Sequence, residues 1–332
     1  MALPQMMKDV WDNHLDEITP MMKMYLETKK QNDDCIIFYR LGDFYEMFFD
    51  DALEASKVME ITLTGKSCGL EERAPMCGVP YHAVDTYINK LVSRGYKVCI
   101  VEQTEDPAQA KGLVKREVVR IVTPGTNLNT NAMDEGKNNY LMSIAYIGGK
   151  FGISIADVTT GDYYVTEVYS ERNVVDEINK FLPSEIICNH AFLMCGMDID
   201  DIKNRLSISV FELEEWYFDE DNCEKVLKDH FGIIDLSGLG ISEMSLGVIA
   251  SGSLLKYLYE TQKNSLSHLS KLIPYSTSTF MILDTSTRRN LELCETLREK
   301  QKRGSLLWVL DKTKTAMGAR TLRGYIEQPL IS

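Results

Sequence analysis

An alternation of short apolar runs with amphipathic stretches limits the possible folds of this chain more than any other feature. Cys35–Arg40 and Lys97–Gln103 are largely apolar runs of strand length, and His82–Arg94 between them has helical spacing and ends at Gly95. Apolar runs of this length between breaks predict strands, and strands that alternate with helices predict an α/β domain. We therefore expect an α/β domain that is closed by a strand at Val118–Val122.

The segment that follows the first run has two open interpretations. Leu41-Gly42-Asp43 breaks the run, and the residues from about Phe44 to Val58 then have helical spacing, so we predict a helix with Phe44 in its first turn. Phe44 could project from the domain there. On spacing alone, Phe44 could equally join Phe48 and Phe49 in one buried helix face.

A second α/β domain is expected after a linker. Asn127–Asn139 is rich in Asn, Thr and Gly, which is typical of a linker. Beyond it the pattern predicts a meander of three strands, Tyr140–Tyr146, Phe151–Val158 and Asp162–Val168, followed by a helix at Glu171–Phe181 and a strand at Glu185–Cys188. A long amphipathic helix is predicted at Glu243–Gln262. From Asp284 the chain is basic and largely helical, with a last helix at Ala316–Ile326.

Charge is unevenly distributed along the 332 residues. The net charge of −13 argues at first against nucleic acid, because neutralising phosphates requires Lys and Arg. Residues 128–279 hold 11 basic and 23 acidic side chains, however, whereas residues 280–332 hold 10 and 6. The acidity is concentrated in the middle, so a local DNA-facing surface on either flank is compatible with the total.

The composition indicates a location in the cytoplasm. No stretch approaches the roughly 20 apolar residues of a membrane helix, and the first residues do not have the pattern of a signal peptide. The eight cysteines include no CxxC pair and several lie in apolar runs, so we expect buried thiols in a reducing compartment rather than a zinc site.

Three candidate chemical sites are weak. Gly65-Lys66-Ser67 resembles the end of a phosphate-binding loop, but that pattern requires a glycine where this chain has Glu60. Asp157 and Asp162 could hold a divalent metal for phosphodiester cleavage, or could be ordinary acids of a turn. His82 opens a helix without a recognisable nucleophile or partner, so a structural role is expected.

Several long runs resemble the MutS family of DNA mismatch-repair proteins. The middle of the chain is similar more loosely, chiefly through Asp157–Gly161 and Pro183–Ile186. The closer runs, spread over both flanks, are Phe38–Phe48, Ala74–Asp85, Val101–Pro107, Arg120–Thr126, Asp284–Glu292, Gly304–Asp311 and Lys312–Arg320.

The resemblance implies a multidomain α/β (α+β) protein. It implies a mixed-sheet mismatch-recognition domain over residues 1–127, a ribonuclease-H-like connector over 128–265, and the beginning of an α-helical core domain over 266–332. Because the family's ATPase lies further on, the chain is expected to be an N-terminal fragment that is not itself an enzyme and has no cofactor or metal of its own. ATP and magnesium are expected only for a full-length member, and the fragment is expected to bind DNA weakly and with little selectivity.

The resemblance also assigns candidate residues. The Phe-x-Glu pattern of the family falls on Phe44 and Glu46, which implies an aromatic wedge from the minor groove beside a mispaired base and a carboxylate that accepts a hydrogen bond from it. Lys66 and Arg116 fall where the family places basic residues near the DNA backbone. Met76 is expected to pack in the minor groove next to Phe44.

The implied partners are double-stranded DNA with mispairs or small loops, a MutL-type repair protein that binds the connector, and a second copy in a full-length homodimer. No membrane partner is expected. Two other functions stay open on the sequence: a metal-dependent nuclease that uses Asp157 and Asp162, and a module that serves only protein interaction through the acidic connector.

Overall fold

The computed structural model describes residues 3–105, 114–128, 136–277, 280, 281, 283 and 285–331. Its contacts divide the chain into two compact units, residues 1–129 with 260–264 and residues 130–259 with 265–332. The predicted α/β class is confirmed in both. The predicted linker falls mainly on residues 129–135, which lie outside the described residues, and the predicted domain boundaries stay a prediction.

The first unit is a mixed six-stranded sheet with helices on both faces. The strand order is β3-β4-β2-β1-β5-β6, and β1 runs parallel to β5 while its other neighbour, β2, is antiparallel. The elements are α1 (Gln5–Asn13), α2 (Pro20–Gln31), β1 (Cys35–Leu41), β2 (Phe44–Phe48), α3 (Phe49–Met59), β3 (Thr64–Lys66), β4 (Ala74–Pro80), α4 (Val84–Val92), β5 (Lys97–Gln103) and β6 (Arg116–Val122).

The two faces of this sheet pack against different helices. On one face, Tyr45 and Met47 of β2 join a core with α3 and α4. On the other face, Phe48 joins a core with α1 and α2. A strand that buries residues on both faces in this way belongs to the centre of a sheet.

The prediction of a helix from Phe44 was wrong, because Phe44–Phe48 forms strand β2 and the helix begins only at Phe49. Spacing misleads here because Phe44, Phe48 and Phe49 also fit helical periodicity. The backbone instead pairs on both sides, with β1 and with β4. Gly42 supplies the positive φ, +58°, that the two-residue loop between β1 and β2 requires.

The second unit is also built on a mixed six-stranded sheet, in the order β11-β10-β7-β8-β9-β12. The predicted meander is confirmed as three antiparallel strands, and β10 then runs parallel to β7. The elements are β7 (Leu141–Ile147), β8 (Lys150–Asp157), β9 (Asp162–Val168), α5 (Glu171–Phe181), β10 (Glu185–Cys188), α6 (His190–Leu193), α7 (Ile199–Leu206), β11 (Ser209–Glu212), α8 (Glu220–Phe231), α9 (Ser245–Gln262), β12 (Ile273–Pro274), α10 (Thr285–Asn290), α11 (Leu306–Leu310) and α12 (Ala316–Glu327).

Helix α9 packs closely on this sheet at Gly152 of β8. A Cβ at residue 152 would lie 2.0 Å from the carbonyl oxygen of Leu246, so only glycine allows the helix to approach this strand. The contact buries Leu254, Leu255 and Leu258 in the core of the unit.

Six of the eight cysteines are buried as predicted, and Cys195 and Cys294 are half-buried. Within the part of the chain that the structure describes, no helix has the length and apolar character to cross a lipid bilayer.

Candidate nucleic-acid interface

Strand β2 presents two candidate residues on one face of the first sheet. Side chains alternate along a strand, so Phe44 and Glu46 point to the face opposite Tyr45 and Met47. Phe48 points to the same face as Phe44, but α1 and α2 cover it and it is fully buried. Phe44, at the other end of the strand, is 47% exposed. The face is therefore covered at one end of β2 and open at the other.

The strand register places all five candidate residues on this face. Glu46 pairs with Gly78, Phe48 with Met76, and Lys66 with Ala74. At the far side of the sheet Arg116 pairs with Gln103, and it shares the face of Tyr39, over whose ring its guanidinium carbon lies at 5.2 Å. Directly paired residues point to the same side of a sheet.

Sharing a face does not bring all five together. Met76 lies opposite Phe48 rather than Phe44, four residues along β2, which corresponds to about 13 Å at 3.3 Å per residue. Met76 and Phe44 are therefore not direct neighbours in the structure, and the packing of Met76 in the minor groove stays a prediction. Met76 instead packs partly buried against the core under α1 and α2.

Glu46 and Lys66 are in direct contact. Lys66 Nζ lies 2.5 Å from Glu46 Oε2, and the two side chains are 34% and 17% exposed. Gly78 of β4 pairs with Glu46, and a Cβ added there would be 3.4 Å from Glu46 Cγ. The absence of a side chain at position 78 leaves room for the carboxylate to lie along the sheet.

The buried end of β2 is fixed by a charged network. Tyr25 Oη accepts a hydrogen bond from the Phe48 backbone N–H at 3.2 Å and donates one to Asp51 at 2.9 Å. Asp51 also lies 2.8 Å from Lys29 Nζ, and both side chains are 4% exposed. Burial raises the pKa of Asp51, while Lys29 and the donated hydrogen bonds act in the opposite direction. This network holds the strand that carries Phe44 and Glu46 at one end.

The open end of β2 is held by a second group, here called the turn clamp: Arg40, Tyr45, Tyr81 and Glu102. Arg40 Nε donates to the carbonyl of Gly42 at 2.5 Å, and its guanidinium carbon lies 4.2 Å from the ring centroid of Tyr81. Tyr45 donates its hydroxyl hydrogen to Glu102. Burial, followed by that hydrogen bond, raises the pKa of Tyr45 above its ordinary value. The clamp thus fixes the loop that precedes Phe44.

The Arg116 side chain is fixed by hydrogen bonds to two backbone carbonyl groups. Its Nε donates to the carbonyl of Arg40 at 3.0 Å and its Nη1 to that of Val114 at 2.9 Å. Burial raises the pKa of Tyr39 beneath it, and the positive charge of Arg116 opposes that shift. The guanidinium is therefore positioned at the edge of the candidate face before any ligand binds.

The second unit does not assemble the metal site that Asp157 and Asp162 could have formed. Asp157 is fully buried and accepts four hydrogen bonds, from the backbone and side chain of Thr159, from the Asn138 side chain and from the Asn139 backbone, at 2.6 to 3.0 Å. Asp162 accepts from Thr160 and Asn138 at 2.8 and 3.0 Å. Among the described residues, no three His, Cys, Asp or Glu side chains are grouped as a metal would need.

Sequence reasoning missed the residues that position the candidate face. Strand β4 was not predicted, because it contains Pro75, Gly78 and Pro80, which are unfavourable inside strands. Arg40 and Asp51 were not singled out, since a charged residue in or beside an apolar run usually lies in solvent. The Gly42-Asp43 pair was a usable signal, because a glycine-containing two-residue break between apolar runs also predicts a hairpin.

Comparison with known proteins covers the chain in three consecutive segments. Family models described as MutS domain I, MutS domain II and MutS domain III match residues 19–131, 139–270 and 286–332. The first match contains strand β2 and the whole candidate face. The second contains the meander and α9.

Individual relatives agree with these matches. DNA mismatch repair protein MutS of Lachnoclostridium phytofermentans is 65% identical over 316 residues, which are 95% of this chain and 34% of that protein. The protein of the same name from Ruminiclostridium cellulolyticum is 55% identical over 318 residues, which are 95% of this chain and 36% of that protein. The chain thus spans about a third of the length of these relatives. Three domain matches in order, together with these identities, show that the chain belongs to the MutS family.

Proposed function

We propose that this chain recognises mispaired positions in double-stranded DNA as part of mismatch repair, with Phe44 as the residue that probes the base pair. The observation that carries the proposal is the 47% exposure of Phe44 at the open end of a strand whose other end is buried. A large apolar ring held in solvent on a fixed strand is suited to insertion into a stack of bases. Membership of the MutS family supports the same function.

In this function Phe44 enters the minor groove and stacks on one base of the mispair. A ring can stack on any base, since every base has a π-face, so the contact carries no sequence preference. The cost of insertion depends on the DNA, because a base step must unstack and the duplex must bend. A mispaired step is already weakened, so insertion costs less there than at a paired step.

Glu46 lies two residues further along the same face and supplies the second contact. Its carboxylate accepts a hydrogen bond from a base edge that a mispair exposes or protonates. Opposite a paired duplex the same carboxylate finds no such donor, and if it leaves Lys66 it repels the phosphates. The difference between these two outcomes favours mispaired DNA.

In this function Lys66 and Arg116 contact phosphates of the DNA backbone. Both lie on the face of Phe44, and cations that contact phosphates fix register and orientation without reading sequence. Met76 has a smaller role, because it lies opposite Phe48 and would reach the groove only after the duplex bends towards β4.

The test is a fluorescence-anisotropy titration of the chain with two labelled duplexes of one sequence, one fully paired and one with a single mispair or a one-base loop. Stacking of an aromatic side chain on a base contributes about 1–3 kcal/mol. Phe44→Ala should therefore weaken binding to the mispaired duplex by roughly fivefold or more and bring the two dissociation constants together. Binding to the paired duplex should change little.

Tyr169→Ala is the matched control, because it removes an aromatic side chain that is 66% exposed in the second unit. It should leave both dissociation constants unchanged. Retention of the mispair preference by the Phe44→Ala variant would sink the proposed function.

The activities of a full-length protein are proposed from the resemblance to the MutS family alone. A full-length member would have an ATPase that uses ATP and magnesium, together with a dimer contact, and the second unit would bind a MutL-type protein. Gly65 and Lys66 themselves lie in strand β3 rather than before a helix, where a phosphate-binding loop would place them. If the chain served only protein interaction, it would bind a MutL-type protein and have no measurable affinity for DNA.

A further inference from the structure

We infer that Lys66 is a specificity-determining residue that exchanges partners when DNA binds. In the free chain it neutralises Glu46, and it stays there on paired DNA. On mispaired DNA it moves to a backbone phosphate while Glu46 moves to the base. The inference rests on the proposed function and adds a coupling between backbone contact and base reading.

The ion pair joins two strands that are not neighbours. Lys66 is on β3 and Glu46 is on β2, with β4 between them. Lys66 pairs with Ala74 and Glu46 with Gly78, so the two side chains reach towards each other both across β4 and along it. Gly78, which has no side chain, leaves room for the Glu46 carboxylate at its end of this path.

Both charged groups lie where they can leave each other. The Lys66 side chain is 34% exposed, and its ammonium group lies 2.5 Å from the Glu46 carboxylate and 5.4 Å from the ring centroid of Phe48. An ammonium group in this position can turn to a phosphate without any change in the backbone. Glu46 is less exposed, at 17%, because it lies along the sheet over Gly78.

The exchange is favourable only when both groups find new partners. If Lys66 leaves for a phosphate of paired DNA, the Glu46 carboxylate stands unneutralised beside the backbone, which costs free energy. On mispaired DNA a base donor replaces Lys66, so the ammonium group is free to contact phosphate. Paired DNA therefore leaves the ion pair closed, and mispaired DNA opens it.

The salt dependence of binding separates these states. The logarithm of the binding constant falls linearly with the logarithm of the salt concentration, and each phosphate contacted by a cation contributes about 0.9 to the slope. Titrations of the 332-residue chain at four salt concentrations, with the paired and the mispaired duplex, give two slopes for each variant. Lys66→Gln should lower the slope on mispaired DNA by about 0.9 and leave the slope on paired DNA unchanged.

Two further variants sharpen the test. Glu46→Gln frees Lys66 on every duplex, so the slope on paired DNA should rise by about 0.9. Lys57→Gln is the matched control, because Lys57 is an exposed lysine of α3, on the other side of the sheet, and its loss should alter neither slope. Lys66→Arg keeps the positive charge, so both of its slopes should equal those of the unaltered chain.

Equal lowering of both slopes by Lys66→Gln would overturn the exchange, because Lys66 would then contact phosphate on every duplex. An unchanged pair of slopes would overturn it as well. Phe44→Ala, measured alongside, judges the proposed function separately. Loss of mispair affinity in that variant, combined with either contrary result for Lys66, would reject the exchange alone.

Discussion

Two hairpin turns of this protein have similar residues and different properties. The β1–β2 turn carries Gly42 and Asp43 and leads to Phe44 and Glu46, whereas the β8–β9 turn carries Gly161 and is flanked by Asp157 and Asp162. In the second turn the carboxylates are occupied by hydrogen bonds within the fold, since Asp157 accepts four of them. In the first, the ring of Phe44 is half-exposed and the carboxylate of Glu46 pairs with one partly exposed lysine, Lys66.

The residue types at a turn therefore do not by themselves define a ligand-binding site. What separates the two turns is whether the bonding capacity of their side chains is already used inside the fold. The β8–β9 carboxylates stabilise the chain, and the β1–β2 side chains remain available to a ligand. Three substitutions test this difference between the two turns.

The largest effect is expected from Lys29→Met, which breaks the buried network under the closed end of β2. Removing one partner of a buried ion pair costs about 3–5 kcal/mol, because the other charge is left uncompensated. Urea unfolding of the first unit, followed by Trp11 fluorescence, should show a loss of that size. Lys57→Met, at an exposed position, is the control. A loss below about 1 kcal/mol, as for a surface pair, would mean that this end of the strand is not fixed by Lys29.

A smaller loss is expected from Asp157→Ala in the second unit. It removes the acceptor of four hydrogen bonds, one of them from the buried backbone N–H of Asn139, at a cost of about 1–3 kcal/mol. Hydrogen exchange of the β8 and β9 amides should accelerate accordingly, and affinity for DNA should not change. Magnesium- or manganese-dependent cleavage of a duplex by the unaltered chain, lost in Asp157→Asn, would instead establish the nuclease function.

The smallest loss of stability is expected from Arg40→Met, which removes the centre of the turn clamp. One hydrogen bond and one cation–π contact at a half-buried site contribute about 1–2 kcal/mol together. The amides of Gly42 and Asp43 should exchange faster, and affinity for mispaired DNA should fall several-fold because Phe44 is held less firmly. Arg40→Lys should recover only part of this, since lysine lacks the planar group that stacks on Tyr81. Unchanged mispair affinity alongside faster exchange would show that rigidity of this turn is unimportant.

Sequence patterns predicted the alternating architecture because apolar periodicity reflects burial directly. They placed the meander and α9 within a few residues of the observed bounds. They failed at Phe44–Phe48, where the same phenylalanines fit a helix and a central strand, and only pairing with β1 and β4 decides between them. The contact of Lys66 with Glu46 could not be predicted from the sequence either, because it crosses strand β4. That strand was not recognised, since Pro75 and Gly78 are unfavourable inside strands.

The central claim, that Phe44 enters the duplex at a mispair, is tested most directly by the fluorescence of 2-aminopurine placed beside the mispair. The fluorescence rises when this base loses its stacking neighbours, so its value with saturating protein reports insertion independently of affinity. We expect a rise with the unaltered chain on mispaired DNA, little change on paired DNA, and no rise with Phe44→Ala. An equal rise with the Phe44→Ala variant would contradict the insertion of Phe44.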